Sequence, residues 1–417
     1  MRILGISLLR LGDLILQRPL VVSLRENNPN AQIHLLINKQ FSQVEFLFEG
    51  IVDRFIYFDR DLFQQSCGEP EFNIFWGLER LKDLISDLNR NCYDQVYNLT
   101  HNRLTAHIAG LIRSEKHTGI YTRSGHFFGL NNPWIQFFNS YFGKPEALGF
   151  HYTELLAKAL GISLKAPQRN RQRRNTSFRV MMQPLTSDRK KNWSLEKYQA
   201  LKDRIEKETP YKVVVIGAPY EEQVLVKYFS KDSLLICSLR EASEHLKSAD
   251  LLITGDTSIK HLTALYSTPI LELALGSSLP WQVGAYADDS IILQPRVSCG
   301  PCPPSLPCSQ NSQRCEEKIS VEAVYGATQI VLGLSQMDWR LFAYKNSGLS
   351  VFRTRITHEL GWAIESMSID QNEQHGEFLQ RKMMIVQELD RRIFLLNKGG
   401  ADEQRTRELS DSGAEAP

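Results

Sequence analysis

Apolar runs of strand length alternate with amphipathic, helix-like stretches over most of the chain. In the first third the runs are RILGISL (2–8), AQIHLLI (31–37), DRFIYF (53–58), YDQVYNL (93–99) and HTGIY (117–121), with segments such as IFWGLERLKDLISDLN (74–89) between them. Such alternation packs helices onto a sheet of parallel strands. The stretch KAPQRNRQRRN (165–175) has no buried face and reads as a basic linker, with contact to anionic lipid as the alternative use of its charge. The alternation then resumes: FRVMMQP, KVVVIGA, SLLICSL, DLLITGD, PILELAL and SIILQP read as strands, and SLEKYQALKDRIEKE, YEEQVLVKYFS and SIKHLTALYS as helices. Beyond Ser335 the spacing becomes helical, in THELGWAIESMSI (357–369) and GEFLQRKMMIVQELDRRIFLLNK (376–398), and the tail reads as disordered.

The expected organisation is an α/β domain over 1–164, a linker over 165–177, a second α/β domain over 178–335, a helical extension over 336–398 and a disordered tail over 399–417. Two such domains imply a cleft, and ligands of open α/β sheets sit at the carboxyl ends of strands facing a crevice.

Composition narrows the partners. A chain that is 42% hydrophobic and 23% charged, with net charge +2, has the make-up of a globular protein and no general affinity for nucleic acid. No run of eighteen apolar residues occurs, so membrane contact is expected to be peripheral. The apolar start LLRLGDLILQRPL is broken by Arg10, Asp13 and Arg18, which argues against an export signal and for the cytoplasm, at most at the inner face of a membrane. Cys67, Cys92 and Cys237 are scattered and read as reduced thiols.

Four clusters fall at strand ends. Leu11-Gly12-Asp13 is a turn from strand to helix in which Asp13 caps the helix, performs chemistry, or both. In PLTSDRKKNW (184–193), Thr186, Ser187, Lys190 and Lys191 offer hydroxyls, amides and ammonium groups suited to a phosphate, unless the segment is a plain polar loop. Glu221 in GAPYEE could accept from a ribose or merely suit a helix's first turn. In LLITGDTSIKHLTAL, the chain leaves a buried strand through Asp256, Thr257 and Ser258 into a helix carrying Lys260 and His261; unpaired helix amides there fit an anion.

Together these positions resemble glycosyltransferase family 9, the ADP-heptose:lipopolysaccharide heptosyltransferases. The resemblance rests on Leu11-Gly12-Asp13 with Pro19, Pro29-Asn30-Ala31, Thr186-Ser187 with Lys191-Asn192-Trp193, Gly217-Ala218-Pro219-Tyr220-Glu221, and Asp256-Thr257-Ser258-Ile259-Lys260-His261. It implies the GT-B fold, two Rossmann-like domains facing across a cleft, with the acceptor on the first and the nucleotide sugar on the second. It implies an inverting, metal-independent transfer of a heptose-like sugar from an ADP-sugar to a lipopolysaccharide-core or other envelope glycan, lipid-linked or free. Asp13 would be the general base. Lys191, Thr186, Ser187, Thr257 and Ser258 would meet the diphosphate, Glu221 the ribose, and Asp256 and His261 the sugar or diphosphate. Ser258 stands where the family usually has glycine, which leaves a weakly active or non-catalytic nucleotide-sugar-binding protein as an alternative; a nucleotide-sugar epimerase is another. Family members often carry cysteines similar to Cys299, Cys302, Cys308 and Cys315, whose spacing suits a structural zinc as well as it suits free thiols.

Overall fold

The computed structural model describes residues 1–60, 62–63, 74–142, 149–165, 178–266, 268–303, 306–310, 312–357, 361–368 and 380–396. Most of the expected linker and the whole expected tail lie outside the described residues.

The first domain is a five-stranded parallel sheet, β1 (Arg2–Ser7), β2 (Gln32–Asn38), β3 (Arg54–Phe58), β4 (Tyr93–Asn98) and β5 (Ser114–Thr118), in the order β3-β2-β1-β4-β5. A small antiparallel hairpin, β6 (Tyr121–Arg123) with β7 (His126–Phe128), follows and was not expected from the pattern. The second domain continues with β8 (Arg179–Gln183), β9 (Lys212–Gly217), β10 (Leu234–Ile236), β11 (Leu251–Thr254), β12 (Ile270–Leu273) and β13 (Ile291–Pro295). Its order, β10-β9-β8-β11-β12-β13, is parallel throughout. In both sheets the order reverses beside the first strand, where doubly wound folds bind their ligands.

The region beyond Ser335 departs from expectation. Helices occur at Trp339–Lys345 and over 380–396, but two strands lie between them, β14 (Leu349–Thr357) and β15 (Gly361–Ser366), which extend the second sheet antiparallel from β13. The segment THELGWAIESMSI therefore supplies a strand where helical spacing was read. Its partner LSVFRTRIT is rich in β-branched residues, and pairing to an open sheet edge outweighs a weak periodicity.

The last helix returns to the first domain. The buried Lys382 ammonium donates to Glu154 Oε2 at 3.0 Å and to the Trp362 carbonyl at 2.5 Å, while Asp390 accepts from Trp134 Nε1 and Lys158 Nζ, each at 2.8 Å. Between the domains the packing is apolar, with Leu14 and Ile15 of the first in one cluster with Leu262 of the second. Burial of this type, not the exposed ion pairs, dominates such contacts.

Candidate active site

Two short helices meet across the domain interface, Leu11–Leu16 after β1 and Ser258–Thr263 after β11. Gly12 makes the approach feasible: a Cβ there would lie 3.1 Å from His261 Cδ2 and 3.8 Å from the Ser258 Cα. Asp13 is thereby turned to the second domain, where its carboxyl feels the charges of Asp256 and Lys191. The Arg10 amide reaches Asp13 Oδ2 at 3.4 Å, a long hydrogen bond. Burial, reinforced by Asp256, raises the Asp13 pKa above 3.8 against the opposing pull of Arg10 and Lys191.

Asp256 is held between two ammonium groups, with Lys191 Nζ 2.7 Å from Oδ2 and Lys260 Nζ 2.7 Å from Oδ1. Burial opposes its ionisation, but the two lysines prevail and keep its carboxyl well below the usual range. Lys260 is wholly enclosed and donates also to Glu272 Oε1 at 2.7 Å and to the Val283 carbonyl at 2.9 Å. Burial works against its charge, yet Asp256 and Glu272 outweigh it and raise its pKa. Glu272, on β12, is pushed upward by burial and by Asp256, and its Oε2 has no hydrogen-bond partner among the described residues. His261 Nε2 stands 3.7 Å from Asp256 Oδ1; burial and Lys260 hold the imidazole neutral.

The loop after β8 reaches the same place because Gly255 admits it: a Cβ at Gly255 would meet the Lys191 carbonyl and Thr186 Cγ2, each at 3.2 Å. Within that loop the roles divide. Lys191 faces Asp256, whereas Lys190 is buried and donates to the Pro303 and Leu306 carbonyls at 2.8 and 2.5 Å, anchoring the cysteine loop. The Thr186 hydroxyl is committed to the Asp188 carbonyl at 2.7 Å, so it is not the free phosphate donor expected, and Ser187 is exposed. Trp193 is structural, buried with its indole N–H on the Ile319 carbonyl at 2.9 Å.

Thr257 caps its helix, with its hydroxyl 3.4 Å from the Lys260 amide. Ser258 opens that helix and is not among the residues with positive φ, so serine needs no strained backbone here. Glu221 lies at the carboxyl end of β9, two strands from β11; it accepts from the Ala218 amide at 2.8 Å, and burial raises its pKa. The structure thus brings together Asp13, Lys191, Asp256, Thr257, Ser258 and His261, with Glu221 apart on the same sheet edge.

Cys299, Cys302, Cys308 and Cys315 are free thiols. Cys302 is pushed upward by burial and by the other three, so they are neighbours. Among the described residues no group of three or more His, Cys, Asp or Glu side chains is arranged to hold a metal ion.

Comparison with known proteins identifies the family. A family model described as glycosyltransferase family 9 (heptosyltransferase) matches residues 81–307, more than half of the 417 residues. The chain belongs to glycosyltransferase family 9. Its fold is shared with a glycosyltransferase family 9 protein from Veillonella parvula (19% identity, 80% of this chain and 97% of that one, TM-score 0.54). It is shared also with E. coli heptosyltransferase WaaC with ADP (17% identity, 79% and 100%, TM-score 0.55). A third such structure is E. coli ADP-heptose lps heptosyltransferase II (13% identity, 81% and 100%, TM-score 0.51). No curated protein sequence matches the chain. The fold is of the GT-B type, and the protein is a glycosyltransferase of this family. The matched span holds Lys191, Glu221, Asp256 and His261 but not Asp13.

Two residues of the site had no role assigned from sequence. Lys260 is four residues after Asp256, one helical turn, and Glu272 is a lone acid in an otherwise apolar strand. A buried acid and a base at that spacing were the available signal.

Proposed function

We propose that the chain moves a heptose-like sugar from an ADP-sugar to a lipopolysaccharide-core or other envelope glycan, with inversion and with Asp13 as general base. The observation that carries this reading is the Asp13 carboxyl, raised in pKa and turned across the interface toward the Lys191–Asp256 pair. The acceptor oxygen attacks the anomeric carbon as its proton passes to Asp13. The bond from that carbon to the diphosphate oxygen breaks, and the diphosphate keeps the electron pair. A carboxyl with raised affinity for the proton is a better base at neutral pH than an exposed aspartate. Lys191 meets the growing charge on the diphosphate together with the Thr257 and Ser258 amides, and such preorganised groups are often the largest catalytic contribution.

The fold's relation to structures of E. coli WaaC with ADP and of an E. coli ADP-heptose enzyme supports the donor assignment. In this reading Glu221 accepts from the donor's ribose, and Asp256 and His261 act near the sugar or diphosphate. No transmembrane-length apolar helix occurs among the described residues, so a lipid-linked acceptor would be met at a membrane surface. The test is Asp13→Asn, assayed for transfer with ADP-heptose and for ADP affinity by calorimetry. Loss of transfer with ADP affinity retained supports the assignment; unchanged turnover removes Asp13 from the chemistry. Product analysis by NMR reads the anomeric configuration, and retention would contradict a single displacement.

A further inference from the structure

The first domain carries a surface that transfer chemistry leaves unused. Residues 95–142 contain one acid, Glu115, against Arg103, Arg113, Lys116 and Arg123 and four histidines. This stretch forms the helix Arg103–Leu111, the edge strand β5 and the hairpin β6–β7. The hairpin lies directly on the helix. Thr122 abuts Gly110, its hydroxyl is 3.3 Å from His107 Nδ1, and the rings of His107 and Phe127 are 5.5 Å apart. Tyr121 stacks on His117 at 4.8 Å and on Phe128 at 5.3 Å, which stiffens the hairpin.

The exposed surface of this unit is apolar and basic at once, on both sides of the hairpin: Thr122 and Phe127 face the helix, and Tyr121 and Phe128 the other way. Leu104 is 49% exposed, Leu111 51%, Phe127 40%, Phe128 41% and Leu130 41%. Arg103, Arg123 and His126 are exposed among them. Arg103, His107 and Leu111 recur every four residues, so they share one helix face, the face that meets Phe127. Clustered aromatics beside arginines, with almost no acid to repel phosphate, match the boundary of an anionic bilayer, where aromatic rings sit at headgroup depth and basic side chains meet phosphates.

We infer that this face, hairpin β6–β7 with the helix Arg103–Leu111, lays the protein onto an anionic lipid surface. The docking is continuous with the cleft: Thr100, just before the helix, accepts from the Leu8 amide at 3.0 Å, in the turn that leads to Asp13. A headgroup-linked acceptor is thus brought to the side of the first domain that holds the base. The inference deepens the membrane-surface part of the proposed function and rests on it for its biological use. It is read without donor or turnover, so either can fail while the other stands.

The test is co-sedimentation of the full chain with vesicles of phosphatidylcholine alone and of phosphatidylcholine mixed with phosphatidylglycerol. Expected is binding to the mixed vesicles only, weakening as salt is added. Arg123→Glu and Arg103→Glu should each lower the partition coefficient by at least about fivefold, the worth of one basic residue near an anionic surface. Phe127→Ser with Phe128→Ser should lower it further, and Lys227→Glu on the second domain should not. The residues changed are exposed, so unchanged circular dichroism and melting temperature confirm that the variants are folded. Equal binding to both vesicle types, binding to neither, or variants that bind like the parent overturns the inference. So does light scattering that shows the face closed by a second copy.

Discussion

Lys260→Met is the most demanding test of the buried charge cluster. The ammonium is fully enclosed and has three acceptors, Asp256 Oδ1 and Glu272 Oε1 at 2.7 Å and the Val283 carbonyl at 2.9 Å. Methionine keeps the length of the side chain and removes the charge. Glu272 then has no hydrogen-bond partner among the described residues, whereas Asp256 retains Lys191. Removing one member of a buried pair costs about 3–5 kcal/mol, since the other is left charged in a medium that solvates it poorly. Lys260→Met with Glu272→Leu removes one charge of each sign and should recover most of that loss, because an apolar replacement of a buried pair is often neutral. Urea unfolding followed by tryptophan fluorescence measures both, at neutral pH, with the second domain's transition as the readout. The sign with pH follows from the shifts. Lys260 has a raised folded pKa, so its contribution is whole below 10.5 and fades as pH rises through the folded value. Asp256 has a depressed one, so its contribution is whole above 3.8 and fades as pH falls toward the folded value. If the single variant lies within about 1 kcal/mol of the parent, or the double variant is no better than the single, the cluster is not the buried network described.

Asp13→Asn should lower turnover by about 10²- to 10⁴-fold, the usual worth of a positioned general base, as measured by ADP release. Because burial raises the Asp13 pKa, its ionised form costs stability above pH 3.8 and nothing below it, so the asparagine variant should melt no lower than the parent at neutral pH. The same shift places the acid limb of kcat/KM above 3.8, and that limb should vanish from the residual rate of Asp13→Asn. Lys191→Ala should weaken ADP binding by about tenfold or more, the worth of one hydrogen bond to a charged group; equal affinity by calorimetry would place the diphosphate elsewhere. With its thiol pushed upward by burial and its neighbours, Cys302 should alkylate more slowly than an ordinary cysteine.

The parallel sheets were readable because their strands are continuous apolar runs, and such runs form strands buried on both faces. RILGISL, KVVVIGA and DLLITGD each became one, at β1, β9 and β11. The hairpin β6–β7 was not readable: its strands have three residues each and an exposed β7, too short to show a period. The hairpin β14–β15 was misread for the opposite reason, since Trp362, Ala363 and Ile364 are all buried and no alternation survives. In the site, Asp13 and Asp256 were found by their place at strand ends. The division of labour between Lys190 and Lys191 was not, because adjacent residues of one loop differ only in where the turn points them. Nor could the sequence say that Thr186 spends its hydroxyl on the Asp188 carbonyl, a contact of two residues' span.

In the proposed mechanism the same charges couple donor binding to base strength. At rest, Lys191 serves Asp256, and its proximity draws the Asp13 pKa down while Asp256 draws it up. In that reading a diphosphate competes for Lys191. Without Lys260, that exchange would strand Asp256 as an unpaired buried carboxylate at a cost of several kcal/mol, and the lysine would not be released. With Lys260 on the other oxygen, Asp256 keeps a partner and Lys191 is free to turn. Once it has turned, the diphosphate neutralises the cation that favoured ionised Asp13, while Asp256 still opposes it. In that reading the carboxyl holds a proton more tightly when the donor is present than when it is absent. In the proposed mechanism, the base strengthens only after the sugar it will transfer has arrived, and an acceptor bound alone meets a weaker one.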